Sequence, residues 1–141
     1  MIQKAELFRL FDAVSANEKL YIPADNTAGK AEYSVYKDGM QLSSQLNTVR
    51  SAKDFFFPQT ENMADFQVSG KNISVEIAPR MDEDFTIFGV RACDAKSFAV
   101  LDNVFLGDPV DTFYQQRRLH ATVVTMAWQT RRNLLLYRIR Y

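Results

Sequence analysis

Residues 85–90 read FTIFGV, and the chain returns to the same character at 121–127 with ATVVTMA. A run this apolar is suited to burial on both faces, as in a central or parallel strand. The sequence between the two runs carries helix signals. Asp94 is placed as an N-cap for a helix with Phe98, Leu101 and Phe105 along one side. Pro109, after Asp108, is expected to open a second helix. Asp111 follows two residues later, where an acid favours the positive end of the helix dipole. Strand, helix and strand in this length imply a parallel crossover, expected to be right-handed. The expected class is α/β or α+β, with a mixed sheet ending in this β-α-β unit.

The upstream sequence adds smaller elements. Ile2 to Val14 carries Leu7, Leu10, Phe11 and Val14 at helical spacing, the stripe of an N-terminal helix lying on a core. Lys19–Pro23 and Tyr33–Tyr36 flank a polar stretch with one glycine and read as a hairpin. Asp65 to Ala78 reads as a second hairpin turning at residues 69–72. Its alternation puts Ile73, Val75 and Ile77 on one face. Pro79 to Asp84, with three acids in a row, reads as a solvated turn. Between the hairpins lies SAKDFFFPQTE, with Ser51 as a cap and Pro58 as a stop. Phe55, Phe56 and Phe57 cannot all face one side of a regular element. They read either as a core plug with one ring partly exposed or as an aromatic docking or cofactor-facing surface.

Charge narrows the partners. The formal net charge is zero, so no global field draws nucleic acid or an anionic membrane. No apolar run is long enough to span a membrane, and the N-terminus lacks the apolar core of a signal peptide. One cysteine excludes an internal disulfide, and a cytoplasmic location is expected. All 17 acids lie at or before Asp111. The tail, residues 128–141, holds Arg131, Arg132, Arg138 and Arg140 and no acid. Without it the balance is 13 basic against 17 acidic residues, or −4. Residues 1–127 are therefore expected to form a single domain, and 128–141 an atypical basic and apolar tail.

Ligands in open α/β sheets collect beyond the carboxyl ends of strands. Cys93 falls at such a place, between a strand and a helix N-terminus. Backbone N–H groups and nearby Arg91 favour a thiolate there. One thiolate cannot hold a metal alone, so a metal at Cys93 would need ligands from elsewhere. His120, the only histidine, reads as structural. Arg117 and Arg118 fit a phosphate, an acidic partner or surface pairing with Asp111.

The run GVRACDAKSFAVLDNVFL, followed by Asp111, Tyr114, Arg117 and Arg118 in a D-x-x-Y-x-x-R-R pattern, resembles an iron–sulfur protein family. That family includes an iron–sulfur component of anaerobic sulfite reductase and the beta subunit of sulfhydrogenases. SAKDFFFPQTE resembles its segment before the first hairpin, and the resemblance covers roughly residues 50–127. It implies an electron-transfer subunit that works beside a flavin subunit, together with reductase or hydrogenase subunits. Members continue into a ferredoxin-like part binding two [4Fe–4S] clusters. By resemblance and position, Cys93, Arg91 and Asp94 become cofactor-binding candidates, with Cys93 an orphaned cluster ligand. Lys53, Glu61, Phe55, Phe56, Phe57, Tyr114, Arg117 and Arg118 become interaction candidates.

In the family the strand matching VVTMA is followed by a cysteine and soon after by Cys-Phe-Cys. Here the sequence continues as WQTRRNLLLYRIRY. A permitted set of codons from Ala127 onward, read one base later, encodes HGKPEETCFCTVFG, which restores a Cys-Phe-Cys. The expectation is therefore a frameshift or truncation near residue 127, with no cofactor in this fragment and no activity alone. The alternatives are a non-catalytic docking module and a stand-alone thiol protein using Cys93. The apolar tail is also a candidate for self-association.

Overall fold

The computed structural model describes residues 2–3, 6–45, 47–77, 83–130 and 133–139. The elements in chain order are β1 (Ile2–Gln3), α1 (Leu7–Ser15), β2 (Lys19–Asp25), β3 (Ala31–Val35) and a 3₁₀ turn (Ala52–Phe55). They continue with β4 (Ala64–Ser69), β5 (Asn72–Ile77), β6 (Phe85–Val90), α2 (Ala92–Phe105), α3 (Thr112–His120), β7 (Ala121–Thr130) and β8 (Asn133–Ile139). Six strands form a mixed sheet in the order β1-β8-β7-β6-β2-β3, and β4-β5 form a separate ribbon. β6 pairs in parallel with both β2 and β7. The β1–β8, β7–β8 and β2–β3 pairs are antiparallel.

All six residues of β6 are buried, as its sequence requires. Phe85 and Ile87 point to the side covered by α2, α3 and the 3₁₀ turn, where they meet Phe56, Phe98, Tyr114 and Val123. Phe88 points the other way, into a cluster with Leu7, Phe11, Leu20, Ile22 and Tyr36 under α1. Strict alternation would then send Val90 toward α1. Gly89 prevents this. Its φ of +83° and the register shift between Phe88 and Val90 form a bulge. Val90 consequently lies in the α2-side cluster. A Cβ at Gly89 would sit 3.0 Å from Pro23 Cγ, so both the backbone angle and the close approach demand glycine.

The expected class, hairpins and crossover are present, with several local corrections. Ile2–Gln3 is a strand, and α1 begins only at Leu7. β8 supplies a hydrogen-bonding edge that the helical stripe did not announce. Arg91, not Asp94, is the N-cap of α2, because the Asp94 side chain is taken up by Arg91 and Ser51. α3 begins at Thr112, after the cis Asp108–Pro109 bond. The Asp111 carboxylate caps it, accepting from Phe113 N at 3.0 Å and Tyr114 N at 2.9 Å. The acidic run at 82–84 falls partly outside the described residues.

The three phenylalanines separate by environment. Phe56 is 1% exposed and packs edge-on against Phe98 at 4.9 Å between centroids. Phe55 is half-buried between Tyr21 and Tyr33. Phe57 is 55% exposed and leans on Phe105 at 4.9 Å. A partner cannot reach the Phe56 ring without opening the core, which corrects its placement on a docking surface. In urea unfolding, Phe56→Ala is expected to lose about 3–5 kcal/mol, as buried aromatic truncations do. Phe57→Ala is expected to lose under about 1 kcal/mol. Equal losses would contradict this division.

Candidate functional site

The candidate site lies at the carboxyl end of β6, where the chain turns through Arg91 into α2. Asp94, in the first turn of α2, is buried. Its Oδ2 accepts from Arg91 Nε at 3.2 Å and Nη2 at 3.1 Å, and its Oδ1 accepts from Ser51 Oγ at 3.0 Å. Arg91 Nη1 donates to Asn47 Oδ1 at 2.8 Å. The hydrogen bond to Asp94 raises Arg91 above its usual range, so the guanidinium stays charged. Ser51 also accepts from Lys53 N at 3.3 Å, which caps the 3₁₀ turn. One carboxylate thus ties the aromatic segment to the end of β6. Cys93 sits beside it in the first turn of α2 and is exposed.

Tyr33 on β3 joins this site, although no local pattern singles it out. Its hydroxyl donates to the Gly89 carbonyl at 3.5 Å. Burial, and then the Asp94 charge, push its ionisation up to about 12. It is therefore a neutral donor at physiological pH. A cleft of about 210 Å³ lies alongside, lined by Glu32, Tyr33, Arg50, Ser51, Asp54 and Phe55. That is smaller than the roughly 300–1,000 Å³ of most small-molecule sites.

The D-x-x-Y-x-x-R-R pattern resolves into different jobs. Arg118 is buried and makes a fork with Asp102 on α2, Nε to Oδ1 at 2.8 Å and Nη2 to Oδ2 at 2.9 Å. Its guanidinium lies over the rings of Phe56 and Phe98, at 5.1 and 5.6 Å from their centroids. The Tyr114 hydroxyl donates to Asp102 Oδ1 at 2.6 Å. Burial and that hydrogen bond raise the ionisation of Tyr114. Arg117 pairs with Glu61 on the segment before β4. The arginines thus meet Glu61 and Asp102, where the sequence offers Asp111 as a surface partner. Arg118 and Tyr114 are core contacts, because packing α3 on α2 seals both from solvent. His120 Nδ1 lies 2.8 Å from Asp84 Oδ1. Asp102 gave no sequence signal, since its partner is sixteen residues away and meets it only through helix packing.

The donor set can be tested against an iron–sulfur cluster. A [4Fe–4S] cluster takes four thiolates. This chain has one cysteine, and among the described residues no three His, Cys, Asp or Glu side chains converge. The residues of this chain do not fit a cluster by themselves. What the turn can do is present a single exposed thiol beside an ion pair.

Comparison with curated proteins finds similarity to sulfhydrogenase 2 subunit beta of Pyrococcus furiosus, 35% identical over 77 residues. The match takes in 55% of this chain and 22% of that protein, so the aligned part spans well under half of its relative's length. No family model matches the chain. No solved structure matches it. No helix among the described residues is long and apolar enough to cross a membrane.

The Asp102 network makes a stability prediction. Burial opposes ionisation of Asp102, but the hydrogen bonds from Arg118 and Tyr114 and the Arg118 charge outweigh it and lower its pKa. The stability this contributes is complete above the ordinary aspartate value of about 3.9 and is lost as pH falls through the lower folded value. Asp102→Asn is expected to cost about 3–5 kcal/mol at pH 7 by leaving Arg118 without its carboxylate. The gap from wild type should narrow as pH drops below about 4. Urea midpoints at pH 7 and pH 3 measure both effects.

Proposed function

We propose that this chain is a domain of an electron-transfer subunit in a hydrogenase-type or anaerobic sulfite reductase-type complex. It works beside a flavin-containing subunit in the cytoplasm. The observation that carries the reading is the 35% match to a sulfhydrogenase beta subunit. The Ser51–Asp94–Arg91 tie supports it, because it joins segments that carry the family resemblance through hydrogen bonds to one carboxylate. On this reading the clusters belong to sequence that this chain does not contain. The chain contributes the α/β domain and one thiol at its presented turn. Alone it transfers no electrons.

Co-expression with the flavin-containing subunit of the source organism's own complex is the direct test. Co-elution with flavin at one per complex is expected. The chain alone, treated anaerobically with iron and sulfide, is expected to remain without cluster absorbance. Failure to co-elute with any subunit of such a complex, or stoichiometric cluster uptake by the chain alone, overturns the reading.

The exposure of Cys93 in the first turn of α2, next to Arg91, favours a second reading as a thiol protein. A thiol reagent titrated against pH decides it. An unreactive Cys93 at pH 9 removes this reading.

A further inference from the structure

The β4–β5 ribbon has one wholly apolar face, and that face is open. Its register sets Ala64 opposite Ile77, Phe66 opposite Val75, and Val68 opposite Ile73. Residues directly opposite share a face, so these six line one side. The other side carries Asp65 opposite Glu76, Gln67 opposite Ser74, and Ser69 opposite Asn72. Phe66, Val68, Ile73, Val75 and Ile77 are between 58% and 73% exposed. The ribbon pairs with no other strand among the described residues.

An isolated two-stranded ribbon is marginal at best in water. The polar side weakens this one further, since Asp65 and Glu76 are like charges directly opposed. Whatever stabilises it must come from the apolar side. The five large side chains present on the order of 600 Å² of apolar surface, the upper end of the largest patch on an ordinary monomer.

We propose that this face is a homodimer interface, covered by the same face of a second copy of the chain. The apolar side contains no charge, so its own image brings no like-charge contact. The net charge of zero adds no long-range repulsion between copies. A two-fold axis through the Phe66–Val75 pair stacks the ribbons as two small sheets about 10 Å apart. Removing both faces from water buries at most about 1,200 Å², the lower bound for a specific interface. The acidic sides stay solvated on the outside. This interface shares no residue with the Arg91–Asp94 turn and does not depend on the electron-transfer reading.

The test is the mass of the purified full chain in solution, by light scattering after size exclusion at about 50 µM, an estimate set by the micromolar affinities that interfaces near this lower bound reach. The 16.2 kDa chain is expected at twice its mass. Val75→Lys and Phe66→Lys are expected to return it to monomer mass while the main thermal transition stays in place, because neither side chain contacts the main sheet's core. A monomeric wild type at that concentration overturns the proposal, as does a dimer that survives both substitutions. Ribbon-dependent binding of a different protein by a monomeric wild type also overturns it, and assigns the face to that protein.

Discussion

β6 is covered on both faces and paired in parallel on both edges, and the rest of the molecule is arranged around that constraint. A strand with no solvent side needs a cover on each face, which α1 supplies on one and α2 with α3 on the other. Its parallel partners cannot be joined to it by tight turns, so long connections are forced: α2 and α3 lead from β6 to β7, and β3, the 3₁₀ turn and the β4–β5 ribbon lie between β2 and β6. Gly89 then determines where the strand delivers the chain. The bulge returns Val90 to the α2 side and releases Arg91 as the cap of α2. The candidate site is thus a consequence of how β6 ends.

Two polar ties, one buried and one part-buried, hold the layers on the α2 side in register. Asp102, Arg118 and Tyr114 join α2 to α3, and Asp94, Arg91 and Ser51 join α2 to the aromatic segment. Such ties contribute little net stability compared with an apolar core of the same volume, but removing one partner is expensive. Their effect is to select one arrangement. α3 buries only Tyr114 and Arg118, so greasy contact alone would leave its position poorly defined. The fork to Asp102 defines it, and Phe56 and Phe98 pack against the same guanidinium.

The elements that were legible in the sequence are those with strong local signals. FTIFGV announced a buried strand, the Leu7–Val14 stripe a helix, and the Ile73, Val75 and Ile77 alternation a ribbon with one apolar face. Ser51 and Pro58 bracketed the aromatic segment, and one ring of its three is the exposed one. Less legible were the roles that depend on distant partners. Asp94 looked like a cap, because local spacing cannot reveal that Ser51 lies across from it, forty-three residues away. Arg117 and Arg118 looked alike until α2 sealed one and left the other to Glu61. Tyr33 gave no signal, since its place beside Gly89 comes from the pairing of β3 with β2 and of β2 with β6.

Period and apolar content are properties of a short window, so local sequence was enough for the α/β class, the central strand, the crossover and the position of Cys93 at a strand-to-helix turn. It was enough for the donor count too, because one cysteine is a fact of composition. Long-range packing settled which charges are buried, which of the three phenylalanines enters the core, and that the apolar face of the β4–β5 ribbon meets no strand of the main sheet among the described residues. Those outcomes depend on which surfaces meet across long sequence separations. Hydrophobicity, being non-directional, creates the demand for a partner without naming it.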